Sequence, residues 1–340
     1  MNSVQRVTAA VRFARPDRTP VIPQIFGHAA TFCGVPLRDY CLDGKTLAEC
    51  QLKALAFYGY DAVFAITGVG VEAEALGAQL EYRDQLYPFV RSYPFSALTN
   101  LSGIKIPDPA RAGRMPQVVQ SLQLMRREVG DEALVVGCVL GPTTLAAQLM
   151  GLEPALFLAA DQPDDFENLL DFCVTVLTVY GKAQLDAGAH LVLIFDPCAS
   201  TEVVPPQFFR EMEMPRLREM FDRFNRSGAL AAWLHVAGKA EEILRYYPQA
   251  GVEIANFDYD TSPATLQDLL PGVCANGNLK SLSFIEDAPA TVGKAAQELL
   301  EDFSRRGGFI LSSGCEIPPE AKVKNIQAMV AAALKENNVG

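Results

Sequence analysis

The chain has 340 residues, 49% of them hydrophobic and 20% charged, which is enough apolar material for a large core and excludes a disordered chain. Its 29 basic and 40 acidic side chains leave a net charge of −11 and a pI near 4.9, without the clustered basic surface that nucleic-acid binding requires. The start, Met1-Asn2-Ser3-Val4-Gln5-Arg6, lacks the apolar core of a signal peptide, and the eight cysteines are scattered rather than arranged as a secreted scaffold. A reduced, cytoplasmic protein is the expectation.

In chain order, short apolar runs alternate with longer amphipathic ones. Eight candidate strands are Val21–Phe26, Ala62–Thr67, Leu134–Leu140, Leu191–Phe195, Leu230–Val236, Val252–Phe257, Cys274–Leu279 and Phe309–Ser312. Most are continuous apolar runs, as expected of strands covered on both faces. The run Ala133–Leu152 is apolar enough to suggest a membrane span, but Gly141-Pro142-Thr143-Thr144 interrupts it and a buried strand turning into a helix fits better. Helical patterns cover Asp164–Ala187, Pro206–Phe224, Lys239–Tyr247, Thr291–Ser304 and Pro319–Leu334, with Asp164 as a capping residue. Gly68–Pro109 is long enough for an inserted hairpin around Leu80-Glu81-Tyr82 and Phe89-Val90-Arg91.

Repeated strand-then-helix units imply a parallel sheet. No Gly-x-Gly-x-x-Gly follows the first strand, so an α/β (β/α)8 TIM barrel is preferred to an open dinucleotide-binding sheet. One domain is expected over residues 1–340.

Active sites of such barrels are built at the C-terminal strand ends. Here those ends carry Gly27-His28, Gly68-Val69-Gly70, Gly141-Pro142-Thr143-Thr144, Asp196 to Glu202, His235, Asp258, Asn276-Gly277-Asn278 and Gly314-Cys315-Glu316. His235 with Cys315 is a zinc-type donor pair, although a lone histidine near a strand end is more often structural. Phe26, Phe32, Tyr87, Phe95 and Trp233 are candidates for an aromatic wall, with core packing the plainer reading of each.

Leu311 to Pro319, followed by Asn325-Ile326-Gln327-Ala328-Met329, resembles the C-terminal signature of the uroporphyrinogen decarboxylase superfamily. Within it the likeness is to the cobalamin-dependent, methylcobalamin:coenzyme M-type methyltransferase branch. Arg6-Val7, Pro16 to Val21, Phe195-Asp196-Pro197-x-Ala199-Ser200, His235-x-x-Gly238 and Gly277-Asn278-Leu279 fall in matching order. The resemblance implies a (β/α)8 barrel, a zinc ion and a cobalamin carried by a corrinoid-binding protein. His235 and Cys315 carry over as catalytic metal ligands.

The family pattern His-x-Cys-Gly reads His235-Val236-Ala237-Gly238 here, so the middle thiolate is absent. Glu202 is taken as the replacement ligand, with Asp196, Glu316 and His28 as other candidates. Asp196 is also taken as catalytic, and His28, Phe26, Trp233 and Asn278 as substrate-binding. Oxygen in place of sulfur makes a zinc site harder. The expected reaction is therefore demethylation of an O-methyl ether or similar small donor, with cob(I)alamin attacking the methyl carbon.

Three alternatives stay open: methyl transfer to a thiol, a metal-free non-catalytic paralogue, and the decarboxylase itself. The last is disfavoured because Gln24-Ile25-Phe26-Gly27-His28-Ala29 offers no arginine for a polycarboxylate. No membrane partner is expected, and homo-oligomerisation is left open.

Overall fold

The computed structural model describes residues 1–97 and 99–335. Among these residues nine strands form in chain order: β1 Ala62–Ala65, β2 Gln79–Arg83, β3 Leu86–Ser92, β4 Leu134–Leu140, β5 Leu191–Phe195, β6 Trp233–His235, β7 Ile254–Asn256, β8 Cys274–Leu279 and β9 Phe309–Ser313. Seven of them make one sheet in the order β1-β4-β5-β6-β7-β8-β9, and every neighbouring pair is parallel. β2 and β3 form a separate antiparallel pair.

The sheet is curled. Val21 forms a parallel bridge with Leu311 on β9, and its carbonyl accepts from the N–H of Asp61, just before β1. Both edges of the sheet thus reach the same short segment. The strand expected over Val21–Phe26 is reduced to this bridge, because Pro20 and Pro23 flank it without N–H donors, and the chain enters the helix Gly27–Phe32 directly afterwards.

Alternation along the strands sorts the core into two bodies. One is the broad layer between sheet and helices. The other lies on the inner face of the curl and includes Ile22, Phe26, Phe64, Val136, Leu193, Trp233, Ile254, Cys274 and Ile310. Leu193, Trp233, Ile254 and Cys274 are successive register partners across four strands. His235 follows Trp233 on that inner face, one step nearer the C-terminal end.

At the opposite end, Asp61 is fully buried. It pairs with Arg6 at 2.7 Å and Arg18 at 2.7 Å, and also accepts from Ser3 and from the N–H of Val21. The early Arg6 and Asp17-Arg18 motif therefore fastens the N-terminal helix Ser3–Val11 to the sheet edge.

Several helix limits differ from the sequence expectation. The long helix is Pro163–Asp186 with Gln162 at its N-cap position, so Asp164 lies in the first turn and makes no cap bond. The segment expected over Lys239–Tyr247 is two four-residue helices, Glu241–Leu244 and Tyr247–Ala250, separated where Pro248 cannot continue the first. A π turn, Phe209–Glu213, precedes Met214–Arg226, where Pro215 lacks the N–H that an α-helical bond needs. Among the described residues no single helix is long and apolar enough to cross a membrane. The questioned run Ala133–Leu152 becomes β4 and the helix Pro142–Met150.

Candidate active site

His235 ends β6 and is 0% exposed. Neither Nδ1 nor Nε2 has a hydrogen-bond partner. Burial holds its pKa down to about 3, so the ring is neutral, with one N–H donor and one acceptor nitrogen. Its nearest ring neighbour is Phe195, 4.4 Å between centroids, at the same level on β5.

Below and beside it are further unmatched polar atoms. Trp233 Nε1, Gln24 Oε1, Asn256 Oδ1 and Asn276 Nδ2 are all buried without partners. A buried polar group left unpaired costs about 1–3 kcal/mol, so a cluster of them marks a place that an occupant completes.

Cys315 follows β9 and is half-buried; burial pushes its thiol up to about 12. Asp258 stands between the His235 and Cys315 loops. Its Oδ2 accepts from Gly238 N–H at 3.0 Å, and a Cβ on Gly314 would lie 2.5 Å from its Oδ1. Glycine is needed at 314 for that approach.

The other expected ligands are placed differently. Glu202 is exposed, its Oε2 at 3.5 Å from Lys239 N–H. Among the described residues no three His, Cys, Asp or Glu side chains come together as a metal-holding group. His235 has free donor atoms, Ala237 has none, and the zinc set His235, Cys315 and Glu202 is not assembled. The residues present do not fit a three-donor zinc site.

Asp196 is engaged by its neighbours through one oxygen, while its Oδ2 has no hydrogen-bond partner. It is 0% exposed, and its Oδ1 accepts from the N–H (2.9 Å) and hydroxyl of Thr144. Its carboxyl faces that of Glu213, which in turn accepts from Thr143. Burial raises both acids, Glu213 far more, and the neighbouring Asp196 adds to the rise of Glu213. Through Thr144 this carboxylate braces the helix Pro142–Met150.

His28 is likewise committed: Nδ1 is 3.0 Å from the Pro319 carbonyl and Nε2 2.9 Å from the Tyr58 hydroxyl, which leaves no ring nitrogen for a substrate. Asn278 donates to the carbonyls of Asp258 (3.2 Å) and Thr261 (2.8 Å), tying down that loop. Phe26 packs edge-on against Phe64 at 5.0 Å in the inner core. Phe32 packs on Phe57 and Tyr58, and Phe95 on Phe172. Of the residues expected to bind substrate, Trp233 alone keeps an unmatched polar atom among these buried groups.

Two further acids lie at the strand ends: Glu316, one of the candidate ligands above, and Glu72, which had no distinguishing spacing. Glu316 accepts from Tyr87 hydroxyl at 2.6 Å and Gly27 N–H at 3.2 Å. Glu72 is 3% exposed, accepts from Leu140 N–H at 3.0 Å, and lines a cavity of about 20 Å³ with Thr67, Cys138 and Phe195, room for one water. Burial raises each to about 7.

Comparisons with known proteins agree over most of the chain. The uroporphyrinogen decarboxylase (URO-D) family profile matches residues 2–335. A methylcobamide:CoM methyltransferase of Methanosarcina barkeri is 29% identical over 293 residues, 85% of this chain and 84% of its own. A uroporphyrinogen decarboxylase of Syntrophotalea carbinolica is 24% identical over 303 residues, 87% of this chain and 85% of its own. A solved methyltransferase from Methanosarcina mazei superposes with a TM-score of 0.90 at 24% identity, covering 99% of both chains.

Proposed function

The chain belongs to the uroporphyrinogen decarboxylase family and is one of its cobalamin-related methyltransferases, and we propose that it moves a methyl group from a small O-methyl ether, or a similar donor, to a corrinoid carried by a partner protein. We read residues 1–340 as one (β/α)8 barrel domain with the β2/β3 pair inserted after the second strand. Support for closure comes from the hydrogen bonds that tie residues 20–22 to both sheet edges.

The observation that carries this reading is His235: a neutral, buried imidazole at a strand end, with both nitrogens free of partners. The corrinoid supplies reduced cobalt able to accept a methyl group. The residues of this chain do the remainder. His235 donates its N–H to the atom the methyl group leaves, stabilising charge as it develops there. Phe195 beside His235 and Trp233 below it are apolar neighbours that keep water from the imidazole. No step is assigned to zinc, because His235, Cys315 and Glu202 do not form a three-donor group.

A second reading, methyl transfer from the corrinoid to a thiol, is favoured by the Methanosarcina barkeri relative, whose name specifies CoM as a substrate. The decarboxylase reading finds no support at Gln24 to Ala29, where no arginine is present to bind carboxylates.

Purified protein with free cob(I)alamin and 2-methoxyphenol, trimethylamine or a methyl thioether gives the test, read as the absorbance change to methylcobalamin. Methylation from the ether, reduced about a hundredfold in His235→Ala, is expected. Consumption of methylcobalamin by a thiol, without methylation from any donor, overturns the proposed direction.

A further inference from the structure

We propose that Gln24, Trp233, Asn256 and Asn276 form a subsite, beside and below His235, for the neutral, hydrogen-bonding end of the substrate. Calling that ligand a methyl donor rests on the reading above; the existence of the subsite does not.

These four side chains come from four separate stretches of chain and are each no more than 1% exposed. Each nevertheless retains one unpartnered polar atom. They are held in place by their other atoms. Asn256 Nδ2 donates to Asn276 Oδ1 at 3.0 Å and lies 3.5 Å from the Ser313 carbonyl. Gln24 Nε2 donates to that same carbonyl at 3.3 Å. Asn256 and Asn276 are register partners, and Trp233 pairs in register with Ile254, two residues before Asn256 on the same inner face.

The free atoms form a definite inventory. Trp233 Nε1 and Asn276 Nδ2 can only donate, while Gln24 Oε1 and Asn256 Oδ1 can only accept. Two donors and two acceptors, none on a charged group, complement a molecule that has both functions and no net charge, such as a phenol, alcohol or amide. A carboxylate or ammonium would leave the acceptors or donors of this set opposed to it. The Trp233 ring, tilted against Phe64 at 6.1 Å, adds a flat apolar wall, so an aromatic ring bearing a hydroxyl beside its methoxy group fits the chemistry of the set. Specificity follows from the unmatched pairs: an analogue lacking the hydroxyl leaves buried groups unpaired.

The chain has a single tryptophan, and it is Trp233 itself, so its emission reports occupancy without any corrinoid. Titration with 2-methoxyphenol is expected to give a saturable change. Binding of 2-methoxybenzoate and of tetramethylammonium should each be at least about tenfold weaker. Gln24→Ala and Asn276→Asp should each weaken 2-methoxyphenol about tenfold with an unchanged circular dichroism spectrum; Asn256→Ser serves if Asn276→Asp does not fold. No saturable change, equal binding of the anion, or indifference to every folded variant would mean that ordered water alone fills the space, and overturns the subsite. Saturable binding without cobalt methylation keeps the subsite and removes the methyl-transfer reading. Methylation without a Trp233 response does the reverse.

Discussion

The hydroxyl of Tyr87 on β3 donates to Glu316, 229 residues further along the chain, at 2.6 Å. The same carboxylate oxygen accepts from the N–H of Gly27, where the helix Gly27–Phe32 begins. A Cβ on Gly27 would lie 2.8 Å from the Tyr87 hydroxyl, and one on Gly68 3.2 Å from its ring. One tyrosine thus gathers the hairpin, two strand-end loops and the loop carrying Cys315 into a single contact at the candidate site.

Removing only the hydroxyl should loosen that contact. Tyr87→Phe leaves the half-buried Glu316 with one donor fewer, at a cost of about 1–2 kcal/mol. The hairpin's other hydrogen bonds run to helices, from Tyr82 to Glu74 and from Leu37 N–H to the Asp84 carbonyl, so amide exchange over residues 79–92 should accelerate more than exchange in β4 or β5. Equal protection in both proteins, measured by hydrogen-exchange mass spectrometry, would show that the contact does not hold the hairpin.

Glu316 also sets a pH dependence. Its pKa rises from 4.5 to about 7 on folding, chiefly through burial. The folded chain therefore binds more protons at this site than the unfolded chain between those two values. Its stabilising contribution is complete below about 4.5 and is lost as pH rises through 7, amounting to about 3 kcal/mol at most. Glu316→Gln mimics the protonated acid and keeps an acceptor for Tyr87. Urea unfolding should find the variant and the wild type alike near pH 5, and the variant more stable at pH 8. A wild-type advantage that grows with pH would refute the assignment.

The facing carboxyls of Asp196 and Glu213 make a separate prediction, that one proton is held between them at pH 7. Glu213→Gln supplies an amide hydrogen in place of the acid proton and should change stability by less than about 1 kcal/mol at pH 7. Glu213→Ala strands the Thr143 hydroxyl and leaves a carboxylate buried alone, costing about 3–5 kcal/mol. If chemical denaturation gives equal losses for the two variants, the pair does not share a proton.

The sheet was legible because its strands are unbroken apolar runs: Leu134–Leu140, Leu191–Phe195 and Cys274–Leu279 have the limits expected from sequence. Val21–Phe26 looked the same, but its prolines cap the hydrogen bonding at one bridge. His235 could be found because it ends an apolar run. Asn276 stands at a strand end in the sequence, but Gln24 and Asn256 could not be found, since a lone amide in an apolar stretch has no spacing signal, and its role appears only when neighbouring strands bring its unpaired atom beside others. Asp196 is legible as a carboxylate at a strand end, whereas Glu213, which faces it from a distant π turn, carries no spacing signal that joins the two.

The alanine at 237 carries the last prediction. It sits two residues beyond His235 and is partly exposed, where the related pattern places a thiolate. A structural or catalytic zinc needs at least three protein donors, and the wild-type chain assembles no such group among its described residues. Protein purified from zinc-supplemented medium and dialysed against a mild chelator should hold well under one zinc per chain. Ala237→Cys should raise this to about one, and combining it with His235→Ala should abolish the gain. Atomic absorption decides the matter: one tightly held zinc in the wild type, lost in both His235→Ala and Cys315→Ala, would mean that those two residues recruit a third donor and that zinc belongs in the mechanism.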